Sequence, residues 1–221
     1  MKKKQRVVAF IPIKLNSVRL PNKNILPISD HPLCWHILNT LSKTYGIDET
    51  YVYCSDEKIT EYIPEKVKFL KRSQHLDGDL VKGFDIYDAF INEIDSDIYI
   101  LAHTTSPFIK SETVESALEK MIKEGYDSAF SAQRIQTFAW YKDVPLNYNL
   151  NDVPRTQDMD PIYIETSGFF MFEKKIFTEH RRRIGFNPYI QEVDSIEAMD
   201  IDTKEDYEFA MLISEGMKKG D

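Results

Sequence analysis

Short runs rich in β-branched and aromatic residues alternate with stretches of helical spacing from Val7 to Ala132, and this alternation leaves few folds open to the chain. The runs Val7 to Ile11, Tyr51 to Cys54, Val67 to Leu70, Asp97 to Ala102 and Ser128 to Ala132 have strand length and period-2 or continuous apolar character. Between them, apolar residues recur every three or four positions: Leu33, Ile37 and Leu41; Phe84, Tyr87, Ile91 and Ile94; Val114, Leu118 and Met121 with Ile122 beside it. Punctuation agrees, with Pro32 at a first helical position, Ser111 as an N-cap before Glu112, and Gly125 where a helix-ending glycine belongs. Strand, helix, strand in succession requires parallel strands joined by right-handed crossovers. The chain is therefore expected to be α/β, a mainly parallel sheet with helices on both faces and ligands beyond the carboxyl ends of the strands.

After residue 133 the pattern changes to short aromatic-rich strands, Thr137 to Tyr141, Pro161 to Ile164, Gly168 to Phe172 and Tyr189 to Val193, which are either antiparallel or an excursion from the sheet. A closing helix over Thr203 to Met217 opens on Thr203-Lys204-Glu205-Asp206, a capping pattern. At 221 residues the chain suits a single domain over 1–221. With 28 Lys and Arg against 36 Asp and Glu, the net charge of -8 argues against a nucleic-acid partner, so any phosphate site must be local. Pro12 interrupts the apolar stretch that follows Met-Lys-Lys-Lys, which speaks against a signal peptide, and no apolar run approaches the length of a membrane span. No membrane partner and a cytoplasmic location are the expectations. Cys34 and Cys54 match no metal or redox spacing and read as core thiols.

The first strand empties into "IPIKLNSVRLPNKN", residues Ile11 to Asn24, where Lys14, Arg19 and Lys23 stand among Asn16, Ser17 and Asn24. Cations and polar donors at a strand end suit a triphosphate, although a solvated basic loop has the same composition. The segment holds no glycine, which excludes both the P-loop and the glycine-rich dinucleotide turn. Near the other end, Asp200 and Asp202 are two apart before the last helix, and in an extended segment they point the same way. Such a pair can hold Mg²⁺ together with substrate phosphates, or can simply cap the helix and face water. Loop and acid pair together indicate Mg²⁺-nucleotide chemistry.

These residues resemble the acylneuraminate cytidylyltransferase family of sugar nucleotidyltransferases. The family's opening I-P-A-R-x-x-S-K-x-x-P-x-K-N is matched at Ile11, Pro12, Ser17, Pro21, Lys23 and Asn24. "KRSQHLDGD" resembles R-P-x-x-L-A-x-D through Arg72, Leu76 and Asp79, and "LAHTTSPF" resembles Q-x-T-S-P through Thr105, Ser106 and Pro107. "PRTQDMDPIYIETSGFFMF" is similar to R-x-Q-x-x-P-x-Y-x-E-x-G, and "DIDTKEDYEFA" to the closing D-I-D-T-x-E-D.

The resemblance implies a Rossmann-like nucleotidyltransferase fold, with 177–196 an excursion that builds a homodimer. It also implies transfer of CMP from CTP to a sugar acid with release of pyrophosphate, assisted by Mg²⁺ or Mn²⁺. Lys23 and Arg19 would then act on the triphosphate and Asp200 and Asp202 on the metal, Asp202 serving catalysis directly. Lys14, Asn16, Ser17, Asn24, Arg72 and Asp79 would bind the nucleotide. His103, Thr105, Ser106, Gln157 and Glu165 would bind the sugar, with Arg155 on its carboxylate. A nine-carbon acid of sialic, legionaminic or pseudaminic type is favoured over a KDO-type substrate, because the KDO enzymes' N-V-Q-G-D-E-P segment is replaced here by "LAHTTSPF". Guanine in place of cytosine, and a degenerate homologue that binds without turnover, are the alternatives. The departures are Lys14 for the family arginine, Val18 for its lysine with Arg19 one place later, His103 for its glutamine, and Leu80-Val81-Lys82 where small residues are usual.

Overall fold

The computed structural model describes residues 4–17 and 20–220. Seven strands form one sheet: β1 Val7–Ile13, β2 Glu49–Cys54, β3 Lys68–Lys71, β4 Ile98–Ala102, β5 Ser128–Ile135, β6 Ile162–Glu173 and β7 Pro188–Val193. Their order across the sheet is β7-β5-β6-β4-β1-β2-β3. Neighbours run parallel except β6, which is antiparallel to both β4 and β5. The helices are α1 Leu33–Lys43, α2 Gly83–Glu93, α3 Ser111–Glu124, α4 Lys174–His180 and α5 Lys204–Gly220.

Alternation along β1 explains the layering. Val7, Ala9, Ile11 and Ile13 face α1 and α3, packing on Cys34, Ile37, Leu41, Val114, Leu118 and Met121, whereas Val8 and Phe10 face α2 and α4. On that second face Phe10 stacks on Phe90 with ring centroids 4.3 Å apart. Both cysteines are buried and free, and burial pushes the Cys34 thiol up to about 12. The expected α/β sheet, helices on both faces and core thiols are all present. Among the described residues no helix is long and apolar enough to cross a membrane.

Several boundaries differ from the sequence expectation. Pro32 and Ser111 each fall one place away, Pro32 at the N-cap of α1 and Ser111 at the first residue of α3. The start of α3 is instead satisfied from a distant segment, where the buried Glu197 carboxylate accepts from Lys110 N and Thr113 Oγ1. Gly125 does close α3, at φ 78°, with its N–H on the Met121 carbonyl. Only Trp140–Tyr141 of the expected 137–141 strand pairs, with Val144–Pro145 in a small exposed hairpin. The Asn147 amide binds Ala139 N and the Thr137 carbonyl, occupying groups that a strand would need.

The two runs expected at 161–164 and 168–172 are one strand, β6, whose register shifts between Glu165 and Phe170. Gly168 sits at the shift, and a Cβ there would lie 2.7 Å from Ile109 Cδ1 and 2.8 Å from Ser131 Oγ. Of the stretch 177–196, Pro188–Val193 is the edge strand β7. Asp127 fastens its approach by accepting from Phe186 N and Asn187 N.

A third small cluster, Ile28, Leu33, Ile201 and Ala210, joins the start of α1 to the segment before α5. Tyr207 adds a hydrogen bond to the Pro27 carbonyl at 2.6 Å. The end of the first loop and the acid pair are thereby fixed to one another.

Truncating Phe90, which is fully buried against Phe10, Tyr51 and Tyr53, should leave a cavity under the sheet. Phe90→Ala is expected to lower the unfolding free energy by about 3–5 kcal/mol, measured as a urea midpoint shift at unchanged m-value.

Candidate active site

Strand β1 has β2 on one side and β4 on the other, so the loops leaving β1 and β4 diverge and open a crevice at the carboxyl edge of the sheet. A cleft of about 470 Å³ occupies that place and is lined by Lys14, Ser17, Lys23, His103, Asp200 and Asp202, among others. Lys23 Nζ donates to Asp202 Oδ1 and to the Ile201 carbonyl, each at 2.9 Å. The cation near one end of the chain and the acid near the other therefore meet across a single cleft. Arg19 and Val18 lie outside the described residues.

Local chemistry places the acids. Ile201 is fully buried and its N–H donates to the Thr105 carbonyl, which directs Asp200 and Asp202 outward on the same side, as i,i+2 spacing requires. Thr105, an expected sugar contact, thus lines the cleft and holds the acid segment by its backbone. Asp206 closes the expected capping pattern, accepting from Asp202 N and Thr203 N while its own N–H meets Thr203 Oγ1. These bonds hold its carboxyl below the usual range, the Thr203 amide contributing most.

Asn24 is buried and ties the two crevice loops together, donating to the Lys14 carbonyl at 2.7 Å and accepting from Thr104 Oγ1 at 2.5 Å. The two carboxylates suit Mg²⁺, which commonly binds through one or two protein acids plus water and substrate phosphates. Among the described residues no group of three or more His, Cys, Asp or Glu is gathered as a cation cage.

On the β2 side, a polar pocket of about 390 Å³ shares Lys14 and Asn16 with the cleft. Lys14 Nζ donates to the Asp77 carbonyl at 2.6 Å and lies 3.7 Å from Asp79, whose side chain is otherwise solvent-facing. Arg72 is buried and reaches Asp77 at 2.5 Å, and Ser55 Oγ donates to the other Asp77 oxygen. Among the described residues Arg72 Nε has no hydrogen-bond partner. Asp77 and Ser55 were not anticipated. Asp77 stands inside the Arg72 to Asp79 motif and was overshadowed by Asp79, whereas Ser55 follows a strand with no motif of its own.

On the β6 side stands His103, whose Nδ1 lies 2.9 Å from the Ser167 carbonyl. A carbonyl only accepts, so Nδ1 carries the proton and Nε2 of the neutral ring is an acceptor. Burial pushes the imidazole below its ordinary value, and Arg183 and Lys23 act in the same direction against Ser167 and Asp200. Ser167 Oγ meets Asp200 at 3.3 Å.

The other expected sugar contacts divide. Glu165 forms an ion pair with Arg183 at 2.5 Å. Ser106 is fully buried and does not line the cleft. Arg155 and Gln157 also stay off its walls, on an exposed turn where Arg155 pairs with Asp158 at 2.6 Å. Ser167 was missed, because it is drawn to the cleft only by the β6 irregularity.

A mainly parallel sheet with a crevice at its switch point is the Rossmann-like fold of the nucleotidyltransferases. The model of the cytidylyltransferase family matches residues 8–218, and the chain belongs to that family. It is 22% identical over 211 residues to the N-acylneuraminate cytidylyltransferase of Streptococcus agalactiae serotype V, covering 90% of this chain and 51% of that protein. It is 26% identical to N-acylneuraminate cytidylyltransferase A of Danio rerio, covering 95% of this chain and 51% of that one. The chain spans about half the length of these curated relatives. The pseudaminic acid cytidylyltransferase of Campylobacter jejuni is 24% identical with 93% and 95% covered. Among solved structures, the CMP:2-keto-3-deoxy-manno-octonic acid synthetase complexed with CTP superposes with a TM-score of 0.72 at 19% identity, covering 96% of this chain and 99% of that one.

Because His103 stays neutral in the folded protein, protonating it favours unfolding. Its stabilising contribution is complete above the unfolded imidazole value near ~6.5 and is lost as pH falls from there through the lower folded value. Chemical denaturation at a series of pH values should show stability declining over that window, and His103→Gln should reduce the slope. Some slope should persist, because burial also lowers His36. Identical profiles would contradict the assignment.

Proposed function

We propose that this chain catalyses the Mg²⁺-dependent (or Mn²⁺-dependent) condensation of CTP with a 3-deoxy nonulosonic acid of sialic, legionaminic or pseudaminic type, giving the CMP-sugar and pyrophosphate. The observation that carries the proposal is the junction of Lys23 with Asp202 and Ile201 at the mouth of the crevice. Support comes also from the curated relatives, which are named for N-acylneuraminate and pseudaminic acid transfer.

In this reaction the sugar hydroxyl oxygen bonds to the α-phosphorus as the bond from that phosphorus to pyrophosphate breaks, and the hydroxyl proton passes to solvent water. Such transfers are accelerated mainly by positioning and by fixed charges where negative charge builds. The Ile201 carbonyl anchors the Lys23 ammonium, whose remaining protons reach Asp202 or a phosphate oxygen. Lys14 and Asn16 border the pocket that takes the nucleotide, and Asp77 holds Lys14 in place. Arg19 is assigned to the triphosphate with Lys23. On the opposite wall the His103 Nε2 accepts from a sugar hydroxyl. Asp200 and Asp202 would hold a divalent cation, which would supply positive charge against the phosphates and a more acidic water.

The active form is a homodimer in the cytoplasm. Support for self-association lies less in 177–196 than in an exposed apolar run comprising Trp140, Tyr141, Val144, Leu146, Leu150 and Val153. Sedimentation should give the mass of two chains, and Trp140→Asp with Leu146→Asp should reduce it to one.

Incubation with each NTP, Mg²⁺ and a panel of 3-deoxy sugar acids should release pyrophosphate with CTP and a nonulosonic acid. Lys23→Ala should lower kcat on the order of 100-fold or more. Turnover untouched by Lys23→Ala, or by removal of both Asp200 and Asp202, would defeat the role assignments. Preference for GTP, or for an eight-carbon acid, would redirect the substrate.

A further inference from the structure

We propose that Ser167 is a positioning residue for two walls of the crevice at once: its hydroxyl orients the Asp200 carboxylate for a cation, and its carbonyl fixes the proton of His103 on Nδ1. This role rests on the cation and sugar roles proposed above and couples one to the other. In the sequence, Thr166 and Ser167 stand between Glu165 and Gly168, where the family's E-x-G allows one residue.

The extra residue is taken up by the register shift in β6. Glu165 pairs with Ala132 and Phe170 with Phe130, so that 166–169 stand opposite Ser131 alone. Ser131 is fully buried, and its hydroxyl replaces part of the interrupted ladder. Phe169 N donates to Ser131 Oγ at 3.1 Å, and Thr166 Oγ1 meets the same oxygen at 2.7 Å. Gly168 completes the lock, because the space a Cβ would need is filled by Ile109 and Ser131. A strand residue normally gives its carbonyl to a neighbouring strand. Among the described residues Ser167 has no ladder partner on either side, since pairing with β4 begins at Phe169 and pairing with β5 resumes at Phe170.

The groups released from the ladder are used in the crevice. Ser167 lines the cleft beside His103, Asp200 and Asp202. Its carbonyl lies 2.9 Å from His103 Nδ1, and its hydroxyl donates to Asp200 Oδ2 at 3.3 Å. One residue therefore bridges the loop after β4 and the acid segment before α5. A neutral imidazole in water carries its proton mainly on Nε2. A carbonyl facing Nδ1 reverses that choice and leaves Nε2 as an acceptor. A carboxylate that receives a hydrogen bond is held in orientation, which is how residues behind metal ligands raise cation affinity.

Both effects pass through a residue that Ser131, Thr166 and Gly168 hold in place before any ligand arrives. His103 stands where the family has glutamine, and the irregular stretch of β6 supplies the acceptor that its Nδ1 proton requires. The two contacts use different atoms of Ser167, so they are separable by substitution. Loss of the hydroxyl alone reaches Asp200, whereas loss of the whole residue reaches Asp200 and His103 together.

The test compares the parent protein with Ser167→Ala and with a chain lacking Ser167, and its readouts are taken without nucleotide or sugar. Nitrogen-15 spectra of the imidazole rings report the tautomer, with His103→Gln identifying the His103 signals among the five histidines. Mn²⁺ binding is followed by electron paramagnetic resonance, and melting temperature reports folding. The parent should show His103 protonated on Nδ1 and should bind Mn²⁺. Ser167→Ala is expected to keep that tautomer and the melting temperature and to weaken Mn²⁺ binding about 10-fold. The shortened chain, where it folds, should show the Nε2–H tautomer and a similar loss of Mn²⁺ affinity; where it does not fold, the parent and Ser167→Ala decide. An Nε2 proton in the parent, no Mn²⁺ binding by the parent, or unchanged Mn²⁺ affinity in Ser167→Ala would overturn the inference. So would a weakened affinity in Ser167→Ala that comes with a lower melting temperature, which marks a structural role. The Nδ1 tautomer and Ser167-dependent Mn²⁺ binding in a protein that releases no pyrophosphate would uphold the inference and defeat the catalytic proposal. Pyrophosphate release by the parent, with unchanged Mn²⁺ affinity in Ser167→Ala, would do the reverse.

Discussion

The Lys23 ammonium, shared between the Ile201 carbonyl and the Asp202 carboxylate, joins positions 178 and 179 residues apart in sequence, and the arrangement of the crevice depends on it. An isolated exposed pair of this kind would contribute little. Here the lysine side chain is only 12% exposed, so its charge requires partners in the folded state. The geometry is supplied by neighbours that do no chemistry. Buried Ile201 packs with Ile28, Leu33 and Ala210, its N–H is held by Thr105, and Asn24 links the loop of Lys23 to Thr104. Two loops and the segment before α5 are therefore locked together before any ligand arrives.

That locking shows how a chain of net charge -8 can still present ordered cations at its crevice. The acids outnumber the bases over the whole molecule, yet several of those at and around the crevice are engaged with particular cations. Asp202 faces Lys23, the Asp77 carbonyl faces Lys14 while its carboxylate faces Arg72, and Glu165 faces Arg183. Each acid fixes the position of a base and offsets the repulsion between neighbouring cations. Phosphates or carboxylates entering the cleft meet donors already oriented, which reduces the ordering cost of binding.

The local features of the fold were legible in the sequence, and the pairings between distant segments much less so. Period-2 and period-3.6 patterns locate β1 through β5 and α1 through α3 because burial on one face is a local demand, and Gly125 ends α3 because αL backbone favours glycine. Nothing local tells β6 to insert between β4 and β5 with reversed direction. Its residues Phe169 to Phe172 are apolar on both faces and would suit a strand of either sense. At the site, Lys23, Asp200 and Asp202 were legible because their spacing is rigid relative to a strand end or a helix cap. Ser106 was misplaced because a hydroxyl beside a lining threonine carries no mark of the direction it faces. Spacing is equally silent on the three adjacent arginines, of which Arg181 pairs with Asp85, Arg182 stacks on Phe186 and Arg183 lies over Phe170.

The departures from the family pattern acquire a physical meaning once their surroundings are known. Where the family has a glutamine before T-S-P, an amide would offer both a donor and an acceptor to a ligand. His103 directs its donor inward to the Ser167 carbonyl, and burial keeps the ring neutral, so an acceptor is what it can show the cleft. A hydroxyl that donates is therefore suited to this wall, and a second acceptor is not. Lys14 in place of the family arginine follows a similar logic. Its compact ammonium fits against the Asp77 carbonyl at 2.6 Å, in a corner where Arg72 already fills the space behind Asp77 with a guanidinium. The lysine keeps a positive charge at the border of the polar pocket.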